Sequence, residues 1–241
     1  MCQGTTSVVP RPSEHQRWAL ALRECAINLT HYRPACRNYR CCYHSGVANT
    51  AYPAPVQTVF LDRDGVVNEK MPEGRYVTQW SDFKILPGVG EAIGLLNRAG
   101  LRVIVLSNQR GIALGLYTAE DVRAIHSEFQ KLLASSGAHV DAFYFCPHNK
   151  AQCNCRKPLP GLFEQAVAHF PAITAPTSVM IGDSKSDVEF GKRLGMTTVF
   201  IDGDSRLQKP GAESARGMAD RRYSSLYEAV TDLLASPPPF K

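Results

Sequence analysis

The sequence lacks any long apolar run. No stretch approaches the roughly 18 consecutive apolar residues that a membrane-spanning helix requires, and the apolar stretch at residues 18–22 is too short for the hydrophobic region of a secretory signal. The chain still contains 44% hydrophobic and only 20% charged residues, a composition that argues against global disorder. We therefore expect a cytoplasmic, monomeric protein with no membrane partner.

Excess positive charge is also scarce outside the N-terminal segment. Residues 1–50 contain six arginines, no lysine and only two acids, Glu14 and Glu24, so they carry +4 of the net charge of +5. The remaining residues hold 21 basic and 20 acidic side chains, a balance of +1. A nearly neutral main domain has no electrostatic footprint for nucleic acid. We therefore expect no nucleic-acid partner.

The same N-terminal segment differs from the rest in cysteine content, since it holds five of the eight cysteines. Its hydrophobic pattern is too short for a domain with its own core. We predict that residues 1–50 are a dispensable, poorly ordered extension rich in arginine and cysteine, that residues 51–236 form the main domain, and that residues 237–241 are a frayed tail. The alternatives are a targeting segment, a redox or metal-binding tail, and translation that starts near Val47.

From residue 56 onward, short apolar runs alternate with helical patterns. The apolar runs predict five strands, at residues 56–61, 101–106, 142–145, 178–181 and 197–201. Helical spacing separates them, and Thr118 with Asp121 predicts a capped helix start, with Gly137 as the stop. Such alternation is typical of βαβ units. We therefore predict an α/β fold, a Rossmann-like parallel sheet with helices on both faces.

Two carboxylates follow the first predicted strand, Asp62 and Asp64 in Phe-Leu-Asp-Arg-Asp-Gly. In parallel sheets, ligands bind beyond the carboxyl ends of the strands. A magnesium ion bound here removes the repulsion between a carboxylate nucleophile and a phosphate dianion. The second carboxylate can protonate the leaving oxygen and later activate water. Taken alone, the motif leaves open an ordinary loop exit with two solvated acids.

Further polar groups follow later strands in order. Ser107 can hold phosphoryl oxygens, Lys157 can neutralise the transferring group, and Asp183 can complete a magnesium site that Asp187 orients from behind. Singly, these residues also fit a turn, a surface lysine and a helix cap. Their joint order predicts a magnesium-dependent phosphatase.

A compact Cys/His cluster lies before Lys157. It offers three thiolates and one imidazole within ten residues, a set that can close tetrahedrally around zinc, namely Cys146, His148, Cys153 and Cys155. Because all four positions are filled by protein, the predicted zinc is structural. It would brace the loop that delivers Arg156 and Lys157. The alternative is a set of buried cysteines beside a surface histidine.

This order of motifs resembles the haloacid dehalogenase-like phosphatases over about residues 56–204. The resemblance implies that Asp62 is the nucleophile and Asp64 the general acid and base. It also implies that Ser107 and Lys157 steady the phosphoryl group. Magnesium would bind Asp62, the backbone carbonyl of Asp64, and Asp183.

Within that family, FLDRDG, SNQ, the Cys/His loop, CRKP and GDS together look like the heptose bisphosphate phosphatases, with histidinol-phosphate phosphatases as relatives. The heptose enzymes lack a large cap domain and remove the 7-phosphate of D-glycero-D-manno-heptose 1,7-bisphosphate in the synthesis of nucleotide-activated heptose. The implied substrate is a small phosphorylated sugar. Two competing hypotheses are a histidinol-phosphate phosphatase and a non-catalytic module that binds a phosphometabolite.

The predicted substrate-binding residues are Asn108, Gln109, Arg110 and Arg156, and of these Arg156 matches the substrate-recognition arginine of the family that the sequence resembles. Two positions depart from the family pattern, since Arg110 replaces a serine and Leu114 replaces an arginine. The spacer between His148 and Cys153 is also short. These positions lie near the expected entrance for the substrate. The departures therefore affect the prediction of which substrate is used, and they do not affect the predicted phosphatase chemistry.

Overall fold

A computed structural model of the protein describes Tyr52, residues 54–208 and residues 210–235. The predictions for residues 1–50 and 237–241 lie outside these described residues. The described part contains one six-stranded parallel sheet: β1 (Thr58–Leu61), β2 (Arg102–Asn108), β3 (Ala142–Cys146), β4 (Ser178–Gly182), β5 (Thr197–Ile201) and β6 (Arg221–Tyr223). The α-helices in the same part are α1 (Val89–Arg98), α2 (Arg110–Ala113), α3 (Ala119–Ala134), α4 (Gly161–His169), α5 (Lys185–Leu194), α6 (Ala212–Met218) and α7 (Leu226–Ala235).

The strand order β3-β2-β1-β4-β5-β6 places β1 in the interior of the sheet. From β1 the chain moves outward through β2 and β3, then returns to β4 on the other side of β1. Leu61, the last residue of β1, pairs with Ile181 near the end of β4. The loops after β1 and β4 therefore diverge from neighbouring strand ends, and such a switch point is where ligands bind in open α/β sheets.

Both faces of the sheet are covered, as the sequence predicts. On one face Phe60, Ile104 and Met180 pack in a buried cluster with Leu162 of α4 and Phe190 of α5. The residues that alternate with them in the strands are also buried, and α1 packs on β2 and on α7. Burial on both sides explains why the central strands read as continuous apolar runs.

The five predicted strands are confirmed, as is the predicted start of α3. The Thr118 side chain accepts a hydrogen bond from the backbone N–H of Asp121, whose carboxylate accepts from the N–H of Thr118. Gly137, with φ of 73°, lies three positions beyond the end of α3 at Ala134. The short elements α2, α6 and β6 were not predicted, because three to seven residues are too few to show a period.

The two longest connections from a strand to the next α-helix are residues 62–88 and 147–160. Neither contains a strand or an α-helix; the first holds a 3-10 helix at Trp80–Asp82. The prediction that the fold lacks a large cap domain is therefore confirmed for the described residues. No helix in this part of the chain is long and apolar enough to cross a membrane.

His126 is the buried histidine of α3, with 5% of its surface exposed and its ring stacked 4.4 Å from that of Phe143. Burial, helped by the positive charge of Arg63, lowers the pKa of His126 to about 3. The unfolded chain binds a proton near the ordinary value of about 6.5. Protonation therefore favours the unfolded state as the pH falls from about 6.5 towards 3.

We expect His126→Leu to reduce the acid sensitivity of the fold. Between pH 7 and pH 5 the unfolding free energy of the wild type should fall by about 2 kcal/mol more than that of the variant. Urea unfolding at the two pH values measures the difference. Phe129→Leu, also on α3 but without a titratable group, should keep the slope of the wild type. Equal slopes for His126→Leu and the wild type would contradict the prediction.

Candidate active site

Three carboxylates converge where the loops after β1 and β4 leave the sheet. Asp62 directly follows β1, Asp183 directly follows β4, and Asp187 lies in the first turn of α5. One oxygen of each lies within 4.8 Å of the others. Carboxylate oxygens this close repel one another unless cations lie between them.

Lys157 supplies one of these cations. Its Nζ lies 2.8 Å from Asp62 Oδ1 and 2.7 Å from Asp187 Oδ1, and it donates a 2.6 Å hydrogen bond to the carbonyl of Leu106 in β2. Its side chain is 1% exposed. The two carboxylates hold the pKa of Lys157 above its ordinary value although burial opposes this. Lys157 therefore carries a permanent positive charge at the strand ends.

The backbone of Lys157 is fixed by Asn108, the last residue of β2. The Asn108 side chain donates to the carbonyl of Lys157 at 3.1 Å and accepts from its N–H at 3.0 Å. This two-point contact joins the strand end to the loop after the Cys/His cluster. The amide expected to contact substrate is thus engaged with the protein backbone.

Asp183 pairs with a second buried lysine. Its Oδ2 forms an ion pair with Lys70, which lies in the connection after β1. Burial, with the nearby charges of Asp62 and Asp187, raises the pKa of Asp183 to about 7 against the opposing charge of Lys70. Burial and the charge of Asp187 also raise the pKa of Asp62. The cluster thus has more negative charge than its surroundings easily accommodate.

A divalent cation would neutralise this excess of negative charge. Asp62 and Asp183 offer hard oxygen ligands of the kind that magnesium prefers. Gly65, with φ of 104°, brings the backbone so close to Asp183 that an added Cβ would lie 2.1 Å from Asp183 Oδ2. The close passage of main chain past the carboxylate agrees with a site that also uses a backbone carbonyl.

Asp64 faces a different set of partners. Arg63 donates to both of its oxygens, at 2.8 and 3.0 Å from Nη2, and Asn68 donates at 3.0 Å. Burial acts to raise the pKa of Asp64, but the charge and hydrogen bonds of Arg63 outweigh it and lower the pKa below its ordinary value. Asp64 is held as a carboxylate, with its side chain outside the cluster of the other three.

Gln109 connects Asp64 with Ser107. Its Nε2 donates to Asp64 Oδ2 at 3.1 Å and to Ser107 Oγ at 2.5 Å, and its Oε1 accepts a 2.7 Å bond from the hydroxyl of Tyr117. Tyr117 reaches this position because Gly111 has no side chain; a Cβ there would lie 2.1 Å from the ring. Gln109 is 2% exposed, so its side chain organises the site from within.

Asp187 serves two neighbours at once. Besides its ion pair with Lys157, its Oδ2 accepts from the N–H and hydroxyl of Ser184 at 3.1 and 2.5 Å, which caps the N-terminus of α5. Its side chain is 1% exposed. Ser184 therefore caps α5, as the alternative interpretation of this segment predicts, and Asp187 completes that cap while it pairs with Lys157. Its orientation of a magnesium site stays a prediction.

The predicted zinc ligands meet in the loop after β3. The Sγ atoms of Cys146 and Cys155 lie 3.5 and 3.3 Å from that of Cys153, and His148 Nδ1 lies 3.3 Å from Cys155 Sγ and 3.8 Å from Cys146 Sγ. A tetrahedral site with Zn–S bonds of about 2.3 Å has edges of roughly 3.8 Å. The four donors thus have nearly the spacing that zinc requires.

Thiol chemistry supports a metal at this place. Burial raises the pKa of Cys146 and of Cys155. The pKa of Cys153 is instead lowered to about 7, because hydrogen bonds with Cys155 and Cys146 outweigh the effect of its burial. Without a cation, two of the three thiols stay protonated in a space where sulfur atoms crowd. A bound zinc ion would deprotonate all three.

The two arginines expected to bind substrate both contact the Cys/His loop. Arg110 donates from Nε to Asn149 Oδ1 at 2.8 Å, and Arg156 donates from Nη1 to the carbonyl of His148 at 3.4 Å. Both side chains are partly exposed. The loop therefore holds two partly exposed guanidinium groups, whose residues are adjacent in sequence to Gln109 and to Lys157.

Several residues of this site were not singled out from the sequence, namely Arg63, Asn68, Lys70 and Tyr117. Arg63 stands between the two acids of the first motif, and its 1% exposure could not be read from that position. Lys70 pairs with Asp183 across 113 positions of sequence. No local pattern signals such contacts, because they depend on the paths of two loops.

Comparison with known proteins shows consistent similarities. Residues 154–228 match the HAD-hydrolase-like family model. A D-glycero-alpha-D-manno-heptose-1,7-bisphosphate 7-phosphatase of Mycobacterium tuberculosis is 38% identical over 171 residues, which cover 70% of this chain and 87% of that protein. A D-glycero-beta-D-manno-heptose-1,7-bisphosphate 7-phosphatase of Vibrio cholerae is 35% identical over 184 residues, which cover 73% and 95%.

A solved structure is similar over the same region. The D,D-heptose 1,7-bisphosphate phosphatase from B. bronchiseptica, complexed with magnesium and phosphate, superposes with a TM-score of 0.66 at 28% identity. The alignment covers 76% of this chain and 100% of that one.

We expect Gly65→Ala to impair the site while the fold persists. The added Cβ would collide with Asp183 Oδ2, so Asp183 must move. Turnover with magnesium should fall at least ~100-fold, the scale of a displaced catalytic group. Gly74→Ala is the control, because Gly74 also has positive φ, of 79°, but nothing lies within 4 Å of the added Cβ. Equal activities of the two variants would contradict the argument.

We expect one zinc ion per chain after purification without chelator, measured by elemental analysis. Cys153→Ser should lose that zinc and lower the melting temperature by several degrees, because the donors then no longer close around the metal. Cys25→Ser, which changes a cysteine of the N-terminal segment, should retain the zinc. Zinc-free wild type, or full zinc in Cys153→Ser, would rule out this site.

Proposed function

The chain belongs to the haloacid dehalogenase-like phosphatases, and we propose that it removes the 7-phosphate of D-glycero-D-manno-heptose 1,7-bisphosphate. The observation that carries the proposal is the meeting of Asp62, Asp183 and Lys157 at neighbouring strand ends, in a chain 38% identical to a heptose bisphosphate phosphatase. The product would feed the synthesis of nucleotide-activated heptose.

In the first half of the proposed reaction, an oxygen of Asp62 attacks phosphorus. An acyl-phosphate bond forms while the bond from phosphorus to the sugar oxygen breaks, and Asp64 gives that oxygen its proton. Lys157, 2.8 Å from Asp62, neutralises charge on the transferring group, and the Ser107 hydroxyl binds one of its oxygens. The attacking carboxylate thus meets phosphorus beside a fixed positive charge.

In the second half, water attacks the phosphorus of the acyl phosphate and gives its proton to Asp64. Inorganic phosphate leaves and the Asp62 carboxylate is restored. The donors around Asp64 suit this base step because they stabilise the carboxylate. The acid step requires Asp64 to be protonated, by solvent in the first cycle and by the attacking water in each later one, and to turn from Arg63 towards the leaving oxygen. Gln109 controls this movement in our proposal, since it donates to one Asp64 oxygen, and Tyr117 holds Gln109 in place.

Magnesium would bind Asp62, the backbone carbonyl of Asp64, and Asp183. Asp187 would orient these ligands without contacting the metal. Magnesium bound there supplies charge that offsets the repulsion between carboxylate and phosphate dianion. The described geometry contributes the two carboxylates and the close backbone passage at Gly65.

The distal 1-phosphate would bind the two arginines that contact the Cys/His loop. Arg110 and Arg156 offer planar donors that suit a phosphate group, and the zinc-braced loop holds both. Asn108 and Gln109 act in the proposal through Lys157 and Asp64. Histidinol phosphate carries no second phosphate, so this pair favours a bisphosphate.

A thiolate zinc site persists where cysteines stay reduced, and the three cysteines of the cluster are free. We therefore place the activity in the cytoplasm. We also propose a monomer that needs no nucleic acid, because residues 51–241 carry 21 basic and 20 acidic side chains and so have no strong positive charge.

Steady-state kinetics on a substrate panel tests the proposal. With magnesium, kcat/KM should rank heptose 1,7-bisphosphate above heptose 7-phosphate and histidinol phosphate, for one or both anomers. Arg110→Ser should lower kcat/KM for the bisphosphate about tenfold and spare the monophosphates, because only the former has a distal phosphate. Asp62→Asn should be inactive on all of them, since an amide cannot form the acyl phosphate.

Three kinds of result would contradict the proposal. If histidinol phosphate has the highest kcat/KM of the panel, the protein is a histidinol-phosphate phosphatase instead. Full activity of deamidation-checked Asp62→Asn, or activity unchanged after removal of magnesium, would require an unrelated mechanism. No activity of the wild type on any substrate of the panel would leave only a binding module.

A further inference from the structure

Lys70 is a cation placed inside the carboxylate cluster. It lies in the connection after β1, and its Nζ contacts Asp183 Oδ2. The side chains of Lys70 and Asp183 are 7% and 6% exposed. Lysine side chains are rarely this buried, because the ammonium loses hydration. A long side chain that reaches into the site therefore has a specific electrostatic partner.

The charges of the cluster explain why the ammonium is stable there. Lys157 lies between Asp62 and Asp187 on one side of the cluster. Asp183 is left as the carboxylate without a partner on that side, and Lys70 pairs with it. Each of the three acids thus has a lysine in contact, and the pairing occupies one of the two Asp183 oxygens that could bind a metal ion.

We propose that Lys70 is a positioning residue that competes with the divalent metal ion for Asp183. The inference rests on the proposed function only in taking Asp183 as a metal ligand. Lys70 occupies the carboxylate while the metal is absent, and metal binding displaces its ammonium. Lys70 thereby lowers the affinity for the metal and keeps Asp183 from remaining buried and unpaired in the metal-free enzyme.

Magnesium binding to the substrate-free protein tests the competition by calorimetry. In Lys70→Met the dissociation constant should fall about tenfold, because an ion pair to a buried carboxylate no longer has to be broken. Lys70→Arg keeps the charge and should bind magnesium no more tightly than the wild type. Lys131→Met, which removes a lysine from an exposed pair with Glu128, should match the wild type.

The melting temperature gives a second readout that does not depend on turnover. Without magnesium, Lys70→Met should melt below the wild type, since Asp183 loses its partner. Saturating magnesium should raise the melting temperature of Lys70→Met more than that of the wild type. A purely structural lysine would lower both states equally and leave the magnesium shift unchanged.

Equal or weaker magnesium affinity in Lys70→Met would overturn the inference and leave the proposed function intact. If that variant does not fold, crystal structures of the wild type with and without magnesium decide instead. The ammonium should leave Asp183 when magnesium is bound, and a retained contact overturns the inference. A wild type that binds no magnesium would overturn the inference and the proposed function together.

Discussion

The ammonium of Lys157 lies between the carboxylates of Asp62 and Asp187, and the rest of the site is arranged around that contact. It is buried, and it also bonds the Leu106 carbonyl at the end of a central strand. Removing one partner of such a buried pair typically costs about 3–5 kcal/mol, because the other charge stays buried. Asp62 and Asp187 can therefore lie close together here because this cation lies between them.

The scaffold makes that contact precise through features remote from the charges. Asn108 holds the backbone N–H and C=O of Lys157, so the loop is anchored to β2. Immediately before Lys157, the Cys/His cluster closes the same loop, and Arg110 and Arg156 contact it. A metal that folds the loop would thus position together the lysine that we propose is catalytic and the two arginines that we propose bind the substrate. This is a physical reason for a structural metal beside a site that uses a different one.

In the described conformation, the charged groups of the site are paired with other groups of the protein. Lys70 pairs with Asp183, and Arg63, Asn68 and Gln109 stabilise the Asp64 carboxylate. The proposed chemistry needs both arrangements to change, since a metal ion must reach Asp183 and a proton must reach the leaving oxygen. Binding of metal and substrate can supply the free energy for such a change only through contacts made in the new arrangement. In the proposed mechanism this change involves the side chains of Lys70 and Asp64.

The sequence alone determined the features that repeat or that lie close together along the chain. Apolar runs predicted five strands, the polar residues after them predicted Asp62 and Asp183, and the Cys/His spacing predicted four donors that lie close enough to hold a metal ion. Tertiary structure alone decided the pairing of Lys70 with Asp183, 113 positions apart, and the use of Gln109 as a bridge to Asp64. A period or a short motif records which face of an element is buried. It does not record where two loops bring their side chains, because that depends on the order of strands in the sheet and on the closure of each loop.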